Sequence, residues 1–216
     1  MAFRQVINYG KLGVRKVERV LSSHGYKVTN REDLHVDYDL TLSGGDLPDP
    51  IRVEVKFDSQ ILWSGNVSAE WWDDRALVQR GWLQSCGAEL MLYLFDCDWA
   101  YAFSPVALRE FALSHLDQLE GTHVISPDAK TDRKTGIRRK KETLNILIPI
   151  SMIRDLRLRK WESMFGTPVD PPTIGRKPRK TPSKNRTALT HELLYVGPTP
   201  PEPSPKVKID DYSTKN

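Results

Sequence analysis

The stretch "IRVEVKFD", residues 51–58, alternates with the period of a strand, and the reading of the fold grows outward from it. Side chains two apart on a strand share a face, so Val53, Val55 and Phe57 point one way and Glu54 and Lys56 the other. An acid and a base therefore stand side by side in the middle of a strand whose other face is apolar. On most strands such a pair is a solvated face carrying a salt bridge. What it means here depends on what the flanking sequence brings to the same place.

Upstream, "GGDLPDP" (44–50) concentrates Gly and Pro turn signals, and "DYDLTL" (37–42) opens a strand that pairs with residues 51–58. "YKVTN" (26–30) is a short extended piece. "KLGVRKVERVLSSHG" (11–25) has helical spacing, with Val14, Val17 and Leu21 on one stripe and Val20 on its flank. Gly25 is the expected C-cap, since glycine tolerates left-handed backbone. Glu18 falls near Val14 and Leu21 rather than with Arg15 and Arg19, so its carboxylate is expected to look inward toward the sheet.

Downstream, Ser64-Gly65-Asn66 reads as a hairpin-type turn into a third strand, "NVSAEWW" (66–72). Strict alternation sends Trp71 and Trp72 to opposite faces, one into the core and the other under the next helix or onto a base. "DDRALVQRGWLQSCGA" (73–88) reads as loop and helix, and "ELMLYLFD" (89–96) as a central strand buried on both faces. "WAYAFS" (99–104) is another strand. Ser104 and Pro105 then cap a helix running toward residue 119. "THVIS" (122–126) and "TLNILIPI" (143–150) are strands flanking a basic loop, and "SMIRDLRLRKWESMF" (151–165) closes the domain as a helix.

Three acids converge on the strand pair: Asp39 at the start of its first strand, Glu54 on the second, and Glu18 on the helix. Carboxylates gathered at the end of a strand pair make an oxygen-rich site suited to a hard divalent cation such as Mg²⁺. Such a cation polarises a phosphoryl oxygen and acidifies bound water, and a neighbouring lysine can orient that water or stabilise developing charge. Glu54 and the Val55 carbonyl would each supply an oxygen, with Lys56 facing the phosphate. Glu70, which could extend the metal site from the next strand, and Gln79 or Gln84 in the following segment are weaker candidates.

A helix carrying an acid, then Asp39, a turn and "VEVK" (53–56) resembles the PD-(D/E)XK nuclease superfamily, with its restriction-endonuclease-like fold. In that resemblance Asp39 matches the first acid, Glu54 the second, Lys56 the lysine and Glu18 the helical acid many members carry. It covers roughly residues 10–115, and the run from residue 64 to 95 is similar in texture to small phage-borne and mobile-element nucleases. It departs from the motif at one point: Tyr38, not proline, precedes Asp39. The literal Pro48-Asp49 pair lies too close to Glu54 to sit on a paired strand, and Pro50 marks it as a turn. Asp37 replaces Asp39 if the strand register is one pair off.

The resemblance implies an α/β, restriction-endonuclease-like core with a central mixed sheet flanked by helices, over residues 1–165. It also implies a Mg²⁺-dependent endonuclease that hydrolyses DNA phosphodiesters, with Mn²⁺ as the expected substitute. A structure-specific nuclease or Holliday-junction resolvase is the nearest alternative, and a catalytically silent nucleic-acid-binding protein is the alternative from another class. Arg138, Arg139, Lys140 and Lys141 in "KTDRKTGIRRKKE" (130–142) are the expected DNA-backbone contacts.

Composition agrees with this outline. The 216 residues are 39% hydrophobic with a net charge of +4, and the apolar share thins toward the end, so the ordered part is smaller than the chain. Residues 166–216 are basic and Pro-rich, and are expected to form a mostly disordered tail around one apolar island, "ALTHELLYVG" (188–197). Cys86 and Cys97 form no C-x-x-C or Cys/His cluster, which argues against a disulfide framework or structural zinc. No stretch has the length and apolarity of a signal or membrane segment, so the expected location is the cytoplasm, that of the host cell if the chain is phage-encoded. DNA is the expected partner, with a homodimer or higher homo-oligomer left open.

Overall fold

The structure, a computed structural model, describes residues 3–31, 37–58, 60–75, 78–95, 99–131, 138–169 and 186–189, with the side chains of 3–9, 126–131, 138–139 and 186–188 left out. The helical stripe of Val14, Val17 and Leu21 becomes the buried face of α1 (Phe3–Ser23). Gly25 follows it at φ +88°, a backbone that costs glycine little. Then β1 (Tyr26–Asn30), β2 (Leu40–Gly44) and β3 (Ile51–Phe57) run as antiparallel neighbours.

At residues 64–66 the expected hairpin is absent. Instead α2 (Ile61–Ser64) makes one helical turn, capped by Gly65 in the left-handed region, whose N–H donates to the Ile61 carbonyl at 2.8 Å. The chain leaves in a new direction, so β4 (Asn66–Asp74) does not pair with β3 and belongs to a second sheet. β5 (Gln79–Arg80), α3 (Trp82–Ser85), β6 (Leu90–Phe95), β7 (Trp99–Phe103) and α4 (Pro105–Ser114) follow. The remaining elements are β8 (Glu120–Thr131), β9 (Arg138–Pro149), α5 (Arg159–Met164) and β10 (Arg186–Ala188). As the sequence indicated, Ser104 caps α4, its hydroxyl accepting from the Ala107 N–H at 3.4 Å.

The fold is mixed α/β. The first sheet, β1-β2-β3-β6-β7, is mixed because β3 and β6 run parallel. The second, β10-β8-β9-β4-β5, is antiparallel throughout, so the single central sheet expected from the sequence is two sheets. Every residue of β6 is buried. Leu90, Leu92 and Leu94 pack with α1 and with Trp161 of α5, while Met91, Tyr93 and Phe95 pack with the second sheet and α4. The first sheet is thus a middle layer, and each fully buried leucine in it contributes roughly 1.5–3 kcal/mol.

Three further expectations change. Trp71 and Trp72 are both buried, because the β4–β9 register shifts between Glu70 and Trp72. One extra residue resets the alternation and turns both indoles inward. The basic loop is shorter than expected, since Arg138 to Lys141 already lie in β9. Residues 132–137, with Arg133 and Lys134, lie outside the described residues. Residues 151–165 do not form one helix: 3-10 turns at Ile150–Met152 and Arg154–Leu156 precede α5. Between them and α5 the Leu158 N–H donates to the Ala102 carbonyl at 2.9 Å, holding the chain against the β7 edge.

Beyond residue 165, Thr167 Oγ1 accepts from the Ala100 N–H and donates to its carbonyl, both at 2.9 Å. β10 pairs with β8, and Leu189 is buried over Gly121, where a Cβ would come within 2.6 Å of Leu189 Cδ2. Residues 170–185 and 190–216, most of the expected tail, lie outside the described residues. Among the described residues no helix is long and apolar enough to cross a membrane.

Candidate active site

The β2–β3 ladder ends at the Leu40–Val53 pair. One residue before Leu40, the Asp39 N–H still donates to the Val53 carbonyl at 3.0 Å, and its carboxylate Oδ2 accepts from the Val55 N–H at 2.8 Å. The side chain substitutes for the strand that has ended, which fixes its orientation. The N–H and C=O of one strand residue point to the same side, so the Val55 carbonyl also faces the Asp39 end.

Glu54 and Lys56 point away from α1. Their parallel partners on β6 are Met91 and Tyr93, on the face that meets the second sheet. Glu54 is buried, and its Oε1 lies 2.5 Å from Lys56 Nζ. Burial pushes the Glu54 carboxyl above its ordinary value, the Lys56 charge pulls it down, and the charges of Asp39 and Asp37 push it up again; upward wins. For Lys56, burial acts to lower the ammonium, but the charge and hydrogen bond of Glu54, with Asp39 behind them, hold it above its ordinary value. Lys56 is thus held in its charged form, while Glu54 takes a proton more readily than an ordinary carboxylate, in a site lined by three acids.

A cavity of about 180 Å³ opens here. Asp37, Asp39 and Glu54 line one side and Trp82, Ser85 and Cys86 of the α3 region the other. The α3 wall is held by close packing onto β4. The Gly81 N–H donates to the Trp71 carbonyl at 2.8 Å, and a Cβ on Gly81 would come within 2.3 Å of the Glu70 carbonyl oxygen. Gln84 Nε2 donates to the Trp71 carbonyl. Lys56 Nζ lies 5.7 Å from the Trp82 ring centroid, within cation–π range.

The structure therefore brings together Asp39, Glu54, the Val55 carbonyl and Lys56. Glu18 is half-buried on α1, which packs on the Val55 and Phe57 face of the sheet, and it does not line the cavity. Glu70 does not line it either and stands behind α3, while Gln79 is exposed on β5. Lys140 is exposed at the start of β9, and Lys141 is ion-paired with Asp73. The side chains of Arg138 and Arg139 lie outside the described part. Trp82, Ser85 and Cys86 were not named as site residues from the sequence. Their only signal there is the bracketing of a four-residue helix by Gly81 and Gly87.

Among the described residues no three His, Cys, Asp or Glu side chains are grouped closely enough to hold a metal between them. Two carboxylates and a backbone carbonyl, all oxygen donors, nevertheless fit Mg²⁺, which commonly takes one or two carboxylates and completes its shell with water and substrate phosphate. Burial is the first cause that raises Glu54, and the Asp39 and Asp37 charges that add to it are what a cation would relieve.

Cys86 reports on the same acids. Burial, then the Glu54 charge, push its thiol up to about 12. At pH 8 only about one thiol in ten thousand is then ionised, and the thiolate is the reactive form. In a Cys97→Ser chain, iodoacetamide is expected to label Cys86 about a hundredfold or more slower than a free cysteine, and faster after Glu54→Gln. Labelling at the free-cysteine rate in the folded chain would place the thiol outside this field.

Comparisons with protein-family models, with curated proteins and with solved structures find no match for this chain.

Proposed function

We propose that this chain is a metal-dependent deoxyribonuclease built on a restriction-endonuclease-like core. The observation that carries the reading is the meeting of Asp39 and Glu54 in one cavity at the end of a strand pair, with the Val55 backbone bonded to Asp39 and Lys56 paired with Glu54. A divalent cation bound there would polarise the phosphodiester and acidify a water. Asp39 and Glu54 hold the negative charge that attracts it, and the Val55 carbonyl adds a neutral oxygen. Lys56 offers its ammonium to the charge that builds on the phosphate as water attacks and a P–O ester bond breaks. Lys140, with Arg138 and Arg139 at the start of the same strand, supplies backbone contacts. Lys141 adds less, because Asp73 already neutralises it.

The test is incubation of the full chain with supercoiled, linear, single-stranded and branched DNA, with Mg²⁺ or Mn²⁺ and with chelator. Cleavage that needs the cation supports the reading, and preference for branched DNA would make it a structure-specific nuclease or junction resolvase. A catalytically silent nucleic-acid-binding protein is the second reading, favoured by the Glu54–Lys56 ion pair, which satisfies both charges without a cation. Binding of these DNAs with no cleavage under any cation would select it.

Lys56 separates chemistry from cation binding. Lys56→Ala is expected to lower turnover by about 10²–10³-fold, the usual effect of deleting a transition-state charge donor. Ca²⁺ affinity, measured by calorimetry, should be equal to or tighter than that of the parent, since the ammonium competes for a Glu54 oxygen. Loss of Ca²⁺ binding in a folded Lys56→Ala chain would remove Lys56 from this role.

A further inference from the structure

Resting on that reading, we propose that Arg52 is a substrate-positioning residue, which holds through Nη1 a DNA phosphate flanking the one that is cleaved. Residues two apart on a strand share a face, so Arg52 stands in one row with Glu54 and Lys56 on β3. The row runs cation, acid, cation. Its two cations are four residues apart, about 13 Å of strand, which sets them against different phosphates. Lys56 is paired with Glu54, whereas Arg52 is paired with Glu89, just before β6.

The Arg52 guanidinium is fixed in place. Its Nε donates to Glu89 Oε1 at 3.0 Å, and its Nη2 is ion-paired with the same carboxylate. Backbone bonds hold Glu89 in turn: its Oε2 accepts the Arg52 N–H at 2.7 Å, and its own N–H donates to the Arg52 carbonyl at 3.1 Å. Arg52 Cζ also lies 5.9 Å from the ring centroid of Tyr38, a residue that lines the cavity. Among the described residues Nη1 has no hydrogen-bond partner, and 41% of the side chain is exposed. Nη1 lies 3.7 Å from where a Gly87 Cβ would stand, and the Asp37 Cβ lies 4.0 Å from the same point. Asp37 lines the cavity, as does Cys86 next to Gly87, so Nη1 sits at the cavity mouth. Glycine at 87 keeps its approach open. Glu89 offsets the charge of Arg52 but leaves the Nη1 donors, and a guanidinium held in this way suits a phosphate oxygen. Asp37 repels an anion that moves further in, so the phosphate on Arg52 stands beside the acids rather than above them.

Arg52→Lys tests this, because it keeps a cation for Glu89 but has only one nitrogen, which that carboxylate occupies. Binding of the full chain to a DNA duplex is read by fluorescence anisotropy across a salt series, with Ca²⁺ in place of Mg²⁺. Affinity is expected to fall about tenfold, and the slope of log affinity against log salt to flatten by up to about one unit, the contribution of one phosphate. With Mg²⁺, KM for cleavage should rise about tenfold while kcat stays within about twofold, since a flanking phosphate is held equally before and during the reaction. Weaker binding at unchanged slope would overturn the proposal and leave Arg52 as support for residues 86–89. A fall in kcat at unchanged KM would overturn it too, by placing Arg52 on the reacting phosphate, and so would unchanged binding. If the parental chain binds DNA without cutting it, the nuclease reading fails alone and the slope still decides whether Arg52 holds a phosphate. If it binds no DNA, both fail.

Discussion

Asp39→Asn and Glu54→Gln are each expected to lower cation-dependent DNA cleavage by about 10³-fold or more while leaving the chain folded. Losing a ligand oxygen from a site that organises both cation and phosphate removes several kcal/mol of transition-state stabilisation, and each 1.36 kcal/mol is about tenfold in rate. The fold should survive because both replacements are isosteric. After Asp39→Asn the amide oxygen can still accept the Val55 N–H, the bond that closes the β2–β3 ladder at 2.8 Å. Glu54→Gln removes the partner of Lys56, whose ammonium retains access to water.

The same site fixes the direction of a pH effect. A cation binds the ionised carboxylate, so a proton on Glu54 competes with it. Burial and the neighbouring acids hold this carboxyl above its ordinary value, so Ca²⁺ affinity should begin to fall at a higher pH than for an ordinary carboxylate. The fall approaches about tenfold per pH unit once the proton dominates, and weakens in Glu54→Gln, which keeps only the Asp39 carboxylate. A folded Asp39→Asn or Glu54→Gln chain that cuts at the parental rate would move the site elsewhere.

How far the sequence could lead is clear from particular residues. Period-two alternation placed β3, the Gly and Pro run placed the turn before it, and the apolar run at 90–95 identified β6 as a buried middle strand. These are local patterns written in contiguous residues. The pairing of Asp39 with the β3 backbone was legible only to within one pair, since the six residues between β2 and β3 do not fix the register and left Asp37 as the alternative. What escaped depends on events that local pattern does not encode. Gly65 could end a hairpin turn or a helical one with the same left-handed backbone. Only the packing of Ile61 and Leu62 into the core selects the helix, and with it the second sheet. The bulge at Glu70–Trp72 leaves no mark in composition, so both indoles face inward against strict alternation. The α3 wall of the cavity depends on Gly81 touching Glu70, a contact between chain segments that a sequence pass reads as an isolated glycine.

The second large effect lies on the other side of the first sheet. Glu162→Gln is expected to destabilise the chain by about 3–5 kcal/mol, because it leaves the Arg157 charge buried and unpaired, and Arg157→Met by less, because Arg159 Nη1 still reaches Glu162 Oε2 at 3.2 Å. The Arg157 and Glu162 side chains are 1% and 2% exposed and meet as a fork, Nε to Oε1 and Nη2 to Oε2, both at 2.8 Å. Arg157 also lies 4.2 Å from the Tyr101 ring centroid, and its Nη1 donates to the Val169 carbonyl at 3.0 Å. Glu162 Oε1 accepts the Ala102 N–H at 3.2 Å, a backbone donor on the outer edge of β7. With Leu158 and Thr167 bonded to the same strand, the pair locks residues 157–169 over an edge that would otherwise present open donors and acceptors. Chemical denaturation should show the loss as a lower midpoint at unchanged slope, and thermal melting as a fall of roughly 10 °C or more. The double replacement Arg157→Met with Glu162→Leu should recover part of it, since a buried ion pair is often no better than an apolar one of its size. Recovery stays incomplete, because the Ala102 N–H loses its partner at about 1–3 kcal/mol, whereas the Val169 carbonyl keeps the Arg159 Nη1 donor at 2.9 Å. Single replacements that cost less than about 1 kcal/mol would show that water reaches the pair and that the β7 edge is covered by the backbone bonds alone.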